Sequence, residues 1–129
     1  MSRLMSVSLT EQAVVERRKT VTRRIGWTFL KPGDRLTLCR KVMGRKPGEP
    51  LVRLAEVEVV GVRREPLMDI DGEDVEREGF DCTRWEFVDF FVEHMRCPYT
   101  SVVTRIEWRY LDDAGRPVRP FSFEAGEAS

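Results

Sequence analysis

The sequence predicts an α+β domain with a small, strongly curved sheet or barrel. Three observations carry that reading. Hydrophobic periodicity switches along the chain in the order helix, strand, strand, helix, helix, strand; the strand segments can pair antiparallel; and 129 residues are enough for one core but not for two of ordinary size.

Residues 1–7 read as an N-terminal arm. Arg3 and several serines interrupt Met1 to Leu9, so the start has no apolar stretch of the kind a secretory signal needs. Ser8-Leu9-Thr10-Glu11 has the form of a capping box, and Leu9, Ala13 and Val14 recur at helical spacing up to about Lys19. Gly26 and Trp27 fall in a loop. Lys31-Pro32-Gly33-Asp34 is a turn signal before an alternating strand at Leu36, Leu38, Arg40 and Val42. Gly44 to Pro50 is a Gly-, Pro- and base-rich connection that extends a hairpin.

From Leu51 to Arg63, Ala55, Val57 and Val59 alternate with Glu56 and Glu58, as in a long strand with one wet face. Asp71-Gly72-Glu73-Asp74 opens a short acidic helix that Gly79 ends, with Glu78 on its last turn. Thr83-Arg84-Trp85-Glu86 is a second capping box. Behind it Phe87, Phe90, Phe91, His94 and Met95 form one helical stripe, read as core, as is Trp85. Val102 to Tyr110 gives the clearest strand alternation, with Trp108 inward. Asp112-Asp113-Ala114-Gly115 turns the chain, and 112–129 reads as that turn, an edge strand around Phe121 and Phe123, and a frayed tail.

Formal net charge is zero, yet residues 1–53 hold 13 Lys+Arg against 4 Asp+Glu and residues 54–129 hold 9 against 18. The basic half can attract phosphate, or the halves can pair with one another and cancel. No apolar run approaches the roughly 20 residues that span a bilayer, so a cytoplasmic protein with no membrane association and no obligate protein partner is expected. Cys39, Cys82 and Cys97 are odd in number and form no C-x-x-C pair, which suits reduced thiols. Cys82, His94 and Cys97 lack a fourth ligand and the short paired spacings of a zinc site, and no metal or other cofactor is expected.

The run Arg18-Lys19-Thr20-Val21-Thr22-Arg23-Arg24 sets an ammonium and a hydroxyl among guanidinium groups with no acid between them. On a helix Lys19 and Thr22 share a face; if the chain leaves the helix near Thr20 they line a turn, and spacing does not choose. A lysine depressed by burial and by Arg23 and Arg24 can take a proton from a hydroxyl or a water, and Glu78 can orient it. The same residues also satisfy a plain ion pair, Lys19 to Glu78, tying the first helix to the acidic one. Trp27 and Phe29 are placed to stack on a base or to plug a barrel end.

The basic run, the Lys31-Pro32-Gly33-Asp34-Arg35-Leu36 turn into a strand, the Glu76-Arg77-Glu78-Gly79-Phe80 segment and the Val103-Thr104-Arg105-Ile106-Glu107-Trp108 strand resemble, in that order, the ASCH domain. The resemblance covers roughly residues 8–111. It implies a PUA-like β-barrel of about five to six strands flanked by helices, with a cleft for RNA or a nucleobase. Within that family the chain is similar to the small bacterial N4-acetylcytidine amidohydrolases, whose K-T-x-T lysine and threonine fall on Lys19 and Thr22 and whose catalytic glutamate falls on Glu78. Those enzymes usually carry glycine where this chain has Arg17. The resemblance implies catalytic Lys19, Thr22 and Glu78. The basic first half is expected to meet RNA or a modified nucleoside in that cleft through Arg17, Arg18, Arg23, Arg24 and Lys31, with Trp27 and Phe29 stacking on a base. A non-catalytic RNA or modified-base binding module and a metal-independent ribonuclease fit the same basic cleft.

Overall fold

The computed structural model describes residues 2–118 and contains a five-stranded mixed sheet curled into a half-barrel, with helices against it. The strands are β1 (Arg3–Ser6), β2 (Val21–Arg24), β3 (Arg35–Cys39), β4 (Arg53–Pro66) and β5 (Val102–Tyr110), in the order β1-β3-β4-β5-β2. The helices are α1 (Glu11–Val15), α2 (Gly72–Arg77) and α3 (Arg84–Met95), with 3₁₀ turns at Ser8–Thr10 and Leu67–Asp69. This is the small α+β barrel architecture expected from the sequence.

β3-β4, β4-β5 and β5-β2 are antiparallel. The expected arm at residues 1–7 is instead largely a strand, because Met5 is buried and β1 pairs with β3, in parallel. The register of β4 against β5 shifts between Val59 and Gly61, and an irregularity of this kind bends a long strand. Inside the curl, Leu36, Leu38, Val57, Ile106 and Trp108 form one apolar core with Met5 and Val14. Leu67, Ile70, Val75, Phe87, Val88 and Val103 form a second, between α2, α3 and the sheet.

Helix ends account for much of the site's placement. α1 stops at Val15, short of the Lys19 end expected, and Ser8 makes no capping box. The Arg17 N–H bonds Val14 O and the Arg18 N–H bonds Ala13 O, with Arg17 at φ 62°, a Schellman stop built on arginine instead of glycine. α2 ends the same way: the Gly79 N–H bonds Glu76 O and the Phe80 N–H bonds Val75 O, with Gly79 at φ 90°. α3 begins at the expected capping box, Thr83 with Glu86. Trp85 is not core: it is exposed, with the Arg84 guanidinium 4.4 Å above its ring. Phe121 and Phe123 lie outside the described residues.

Candidate functional site

The two Schellman stops face each other. A Cβ on Gly79 would meet Lys19 Cβ at 3.4 Å, and the Thr20 N–H bonds Arg77 O. Lys19 thus leaves α1 directly against the C-terminal end of α2. Its carbonyl is pinned from the sheet, accepting from Trp108 Nε1 at 2.9 Å and from the Tyr110 hydroxyl. With the backbone held, the side chain runs inward, and Lys19 is only 2% exposed.

Lys19 Nζ has two acceptors, both on Glu78: the backbone carbonyl at 2.7 Å and carboxylate Oε1 at 3.2 Å. Glu78 Oε2 accepts from Arg23 Nη1 at 3.1 Å. Burial pushes the Lys19 ammonium below its ordinary value; the Glu78 carboxylate opposes this, and Arg24 and Arg23 reinforce it. In the neutral amine both N–H groups have their acceptors on Glu78 and the lone pair is free to take a proton.

Thr22 and Arg24 come from β2, the sheet's edge strand beyond β5, with Thr22 opposite Ile106. Arg24 Nε faces Thr22 Oγ1 at 3.4 Å, and Nη2 donates to Ser6 O at 2.6 Å. Lys19, Thr22, Arg23, Arg24 and Glu78 line one cavity of about 180 Å³. A cavity of about 150 Å³ takes a benzene ring, so this one has room for a single small ring and its substituent. Its lining sets the Arg23 and Arg24 guanidinium groups and the Lys19 amine beside one carboxylate, a set suited to an oxygen that gains negative charge.

Arg23 is held rather than free. Its side chain is 1% exposed and bridges Glu65, Asp74 and Glu78, leaving only Nε without a partner among the described residues. Asp74 also receives Arg105 Nε at 2.7 Å and Nη2 at 2.9 Å, and Arg77 Nη1 at 2.9 Å. Burial works to raise the Asp74 carboxyl, but these three guanidinium groups outweigh it and hold the group well below the usual carboxylate range. Basic residues of the first half therefore meet acids of the second inside the molecule, which absorbs part of the charge asymmetry.

The other expected ligand residues lie elsewhere. Arg18 is exposed and pairs with Glu16 at 2.6 Å, and Arg17 lies 5.6 Å from the Tyr110 ring. Trp27 packs on the barrel core and against Phe29, ring centroids 5.4 Å apart. Phe29 carries Arg3 at 4.4 Å and, with Lys31, borders a separate depression with Asp34 and Arg35. None of these five lines the Lys19 cavity. Its aromatic lining comes from Phe80 and from the α3 stripe, including Phe90, His94 and Met95. The stripe was visible in the sequence, but its periodicity does not say that one edge of it faces a cavity.

No family model and no curated protein matches the sequence. Solved structures do. A DUF984 protein from Enterococcus faecalis V583 is 16% identical with a TM-score of 0.62, over 87% of this chain and 81% of that one. ASCH from Zymomonas mobilis is 17% identical with a TM-score of 0.56, over 97% and 80%, and the ASCH domain from Lactobacillus crispatus JV V101 is 9% identical with a TM-score of 0.55, over 84% and 79%. The fold is that of the ASCH domain. No helix among the described residues is long and apolar enough to cross a membrane.

Proposed function

With the ASCH fold as premise, we propose that this chain is an amidohydrolase that removes the acyl group from an N4-acylated cytidine or a related modified nucleoside, with Lys19, Thr22 and Glu78 as its working groups. The observation that carries the reading is Lys19: buried to 2% exposure, its amine on Glu78 and its proton affinity lowered, in the cavity that Thr22 lines. A surface ion pair has no use for that burial, because desolvating two charges costs several kcal/mol per ion in rough terms.

The chemistry runs as follows. The neutral Lys19 amine takes the proton of the nucleophile, either the Thr22 hydroxyl or a water beside it. The freed oxygen bonds the acyl carbon, and the carbonyl electrons move onto its oxygen, facing Arg24. When that oxygen re-forms the double bond, the bond to N4 breaks and the Lys19 ammonium returns its proton to the leaving amine. If Thr22 is the nucleophile, a water repeats the sequence to release the carboxylate. Glu78 holds the lysine throughout. The small volume of the cavity favours a nucleoside over the extended groove that an RNA binder or a ribonuclease needs.

The test is acetate release from N4-acetylcytidine and a panel of acylated nucleosides, with chelator present. Wild type should turn over, and Lys19→Arg should still bind while losing at least roughly 100-fold in turnover, since a guanidinium is no base near neutral pH. Turnover surviving in Lys19→Arg removes Lys19 as the base. Silence across the panel, with single-stranded RNA bound, transfers the site to the binding-module reading.

A further inference from the structure

The proposed chemistry leaves part of the cavity wall unused. Leu9 and Met95 are 57% and 38% exposed there, and Phe90 is 38% exposed. Phe90 and His94, one turn apart on α3, lie with ring centroids 5.4 Å apart and planes only 10° from parallel. Behind them the rings continue inward: Phe90 on Phe80 at 5.6 Å, Phe80 edge-on to Phe87 at 5.1 Å, and Phe87 on Phe91 at 6.1 Å. Phe87 is 2% exposed, so the outermost rings are backed by the second core. α3 itself is fastened by its capping box at Thr83 and by Arg96 in the left-handed conformation at its end.

Rings exposed at a concave mouth leave apolar area in water, which a ligand recovers. A parallel, rigidly backed pair favours a flat ring over an aliphatic chain, because offset stacking adds to the area buried. The cavity's size admits one such ring, and its cationic wall lies within the same small volume.

We propose that the Phe90–His94 pair is the specificity-determining shelf of this site, stacking the planar heteroaromatic ring of the substrate so that amides borne on a ring are selected over amides of aliphatic amines. The amide part of this statement rests on the hydrolase reading above; the ring part does not.

The experiment measures cytidine binding by calorimetry to wild type, Phe90→Ala, His94→Ala and the aromatic replacements Phe90→Trp and His94→Phe, with melting curves and gel filtration in parallel. Both positions are exposed, so the variants should fold. Each alanine should weaken cytidine by about tenfold or more, and each aromatic replacement should restore most of that loss. In turnover, N4-acetylcytidine should exceed N-acetylethanolamine in kcat/KM, and the alanines should narrow the ratio. Failure of the wild type to bind cytidine, equal affinity in all variants, or a ratio that the alanines leave alone overturns the shelf. So does a change of oligomeric state in Phe90→Ala with cytidine affinity intact, which would assign the face to a second copy. If nothing is hydrolysed but cytidine binding needs both rings, the shelf stands and the hydrolase falls.

Discussion

Gly79 and Ala13 meet where no side chain fits between them: a Cβ on Gly79 would lie 2.7 Å from the Ala13 Cβ. That approach sets the end of α2 against α1 and brings Glu78 to Lys19, 59 residues away in the chain.

Gly79→Ala should therefore damage both stability and the site. The left-handed φ of 90° costs a side chain roughly 1–2 kcal/mol, and forcing a methyl against the Ala13 Cβ adds roughly 1–3 kcal/mol. The expected loss is about 2–5 kcal/mol in urea unfolding, with ligand affinity falling in the fraction that remains folded. A variant as stable as wild type would show that α1 and α2 are not held by this contact.

Arg24 adds to burial in lowering the Lys19 proton affinity, so Arg24→Gln should move that affinity upward. The rising limb of kcat/KM against pH, which marks deprotonation of Lys19 below 10.5, should shift to higher pH in the variant. A limb that stays put or moves to lower pH contradicts the assignment. The sign for stability is related: the folded state binds the Lys19 proton less tightly than the unfolded chain. The penalty for burying its charge is therefore full at low pH and relieved as pH rises toward 10.5.

Asp74→Asn should be among the most destabilising isosteric changes in the protein. It strips the shared carboxylate from Arg23 and Arg105, and removing one partner of a buried pair costs about 3 kcal/mol or more. Because the folded Asp74 carboxyl lies below 3.8, its stabilisation is complete above that pH and is lost as pH falls below it. Unfolding followed between pH 2 and 5 should show a steep acid slope in wild type and a flatter one in the variant.

Arg17 occupies the glycine position of a Schellman stop at φ 62°. Arg17→Gly should be near neutral, within about 0.5 kcal/mol, because relief of the side-chain strain offsets the added chain entropy. Arg17→Val should lose roughly 1–2 kcal/mol. Neither should alter cytidine affinity, since Arg17 does not line the cavity. Equal melting temperatures for the two would refute the conformational account.

The regular elements were legible where one local pattern suffices. β5, the core of β4 and the start of α3 follow from alternation and a capping box, and Gly79 from its place after an acidic helix. β2 was not legible, because Arg23 reads as surface until Glu65, Asp74 and Glu78 arrive from distant segments to neutralise it. β1 was missed because a four-residue strand with Arg3 at its start owes its place to β3 rather than to its own periodicity. In the cavity, the long-range meeting of Lys19 with Glu78 was readable from motif order. The aromatic wall was not: the signal for Trp27 and Phe29 was proximity in sequence to the basic run, whereas the cavity takes its rings from α3.

The strand order has a consequence for synthesis. β2 carries Thr22 and Arg24, and among the described residues its one partner in the sheet is β5, so Val21 waits for Glu107 before that pairing forms. On the ribosome the first half of the chain emerges strongly cationic, and Arg23 has none of the carboxylates that will enclose it until Glu65, Asp74 and Glu78 follow. The strand that carries Thr22 and Arg24 into the cavity is thus seated last, and a nascent chain halted before β5 holds every residue that lines the cavity without the neighbour that fixes two of them in place.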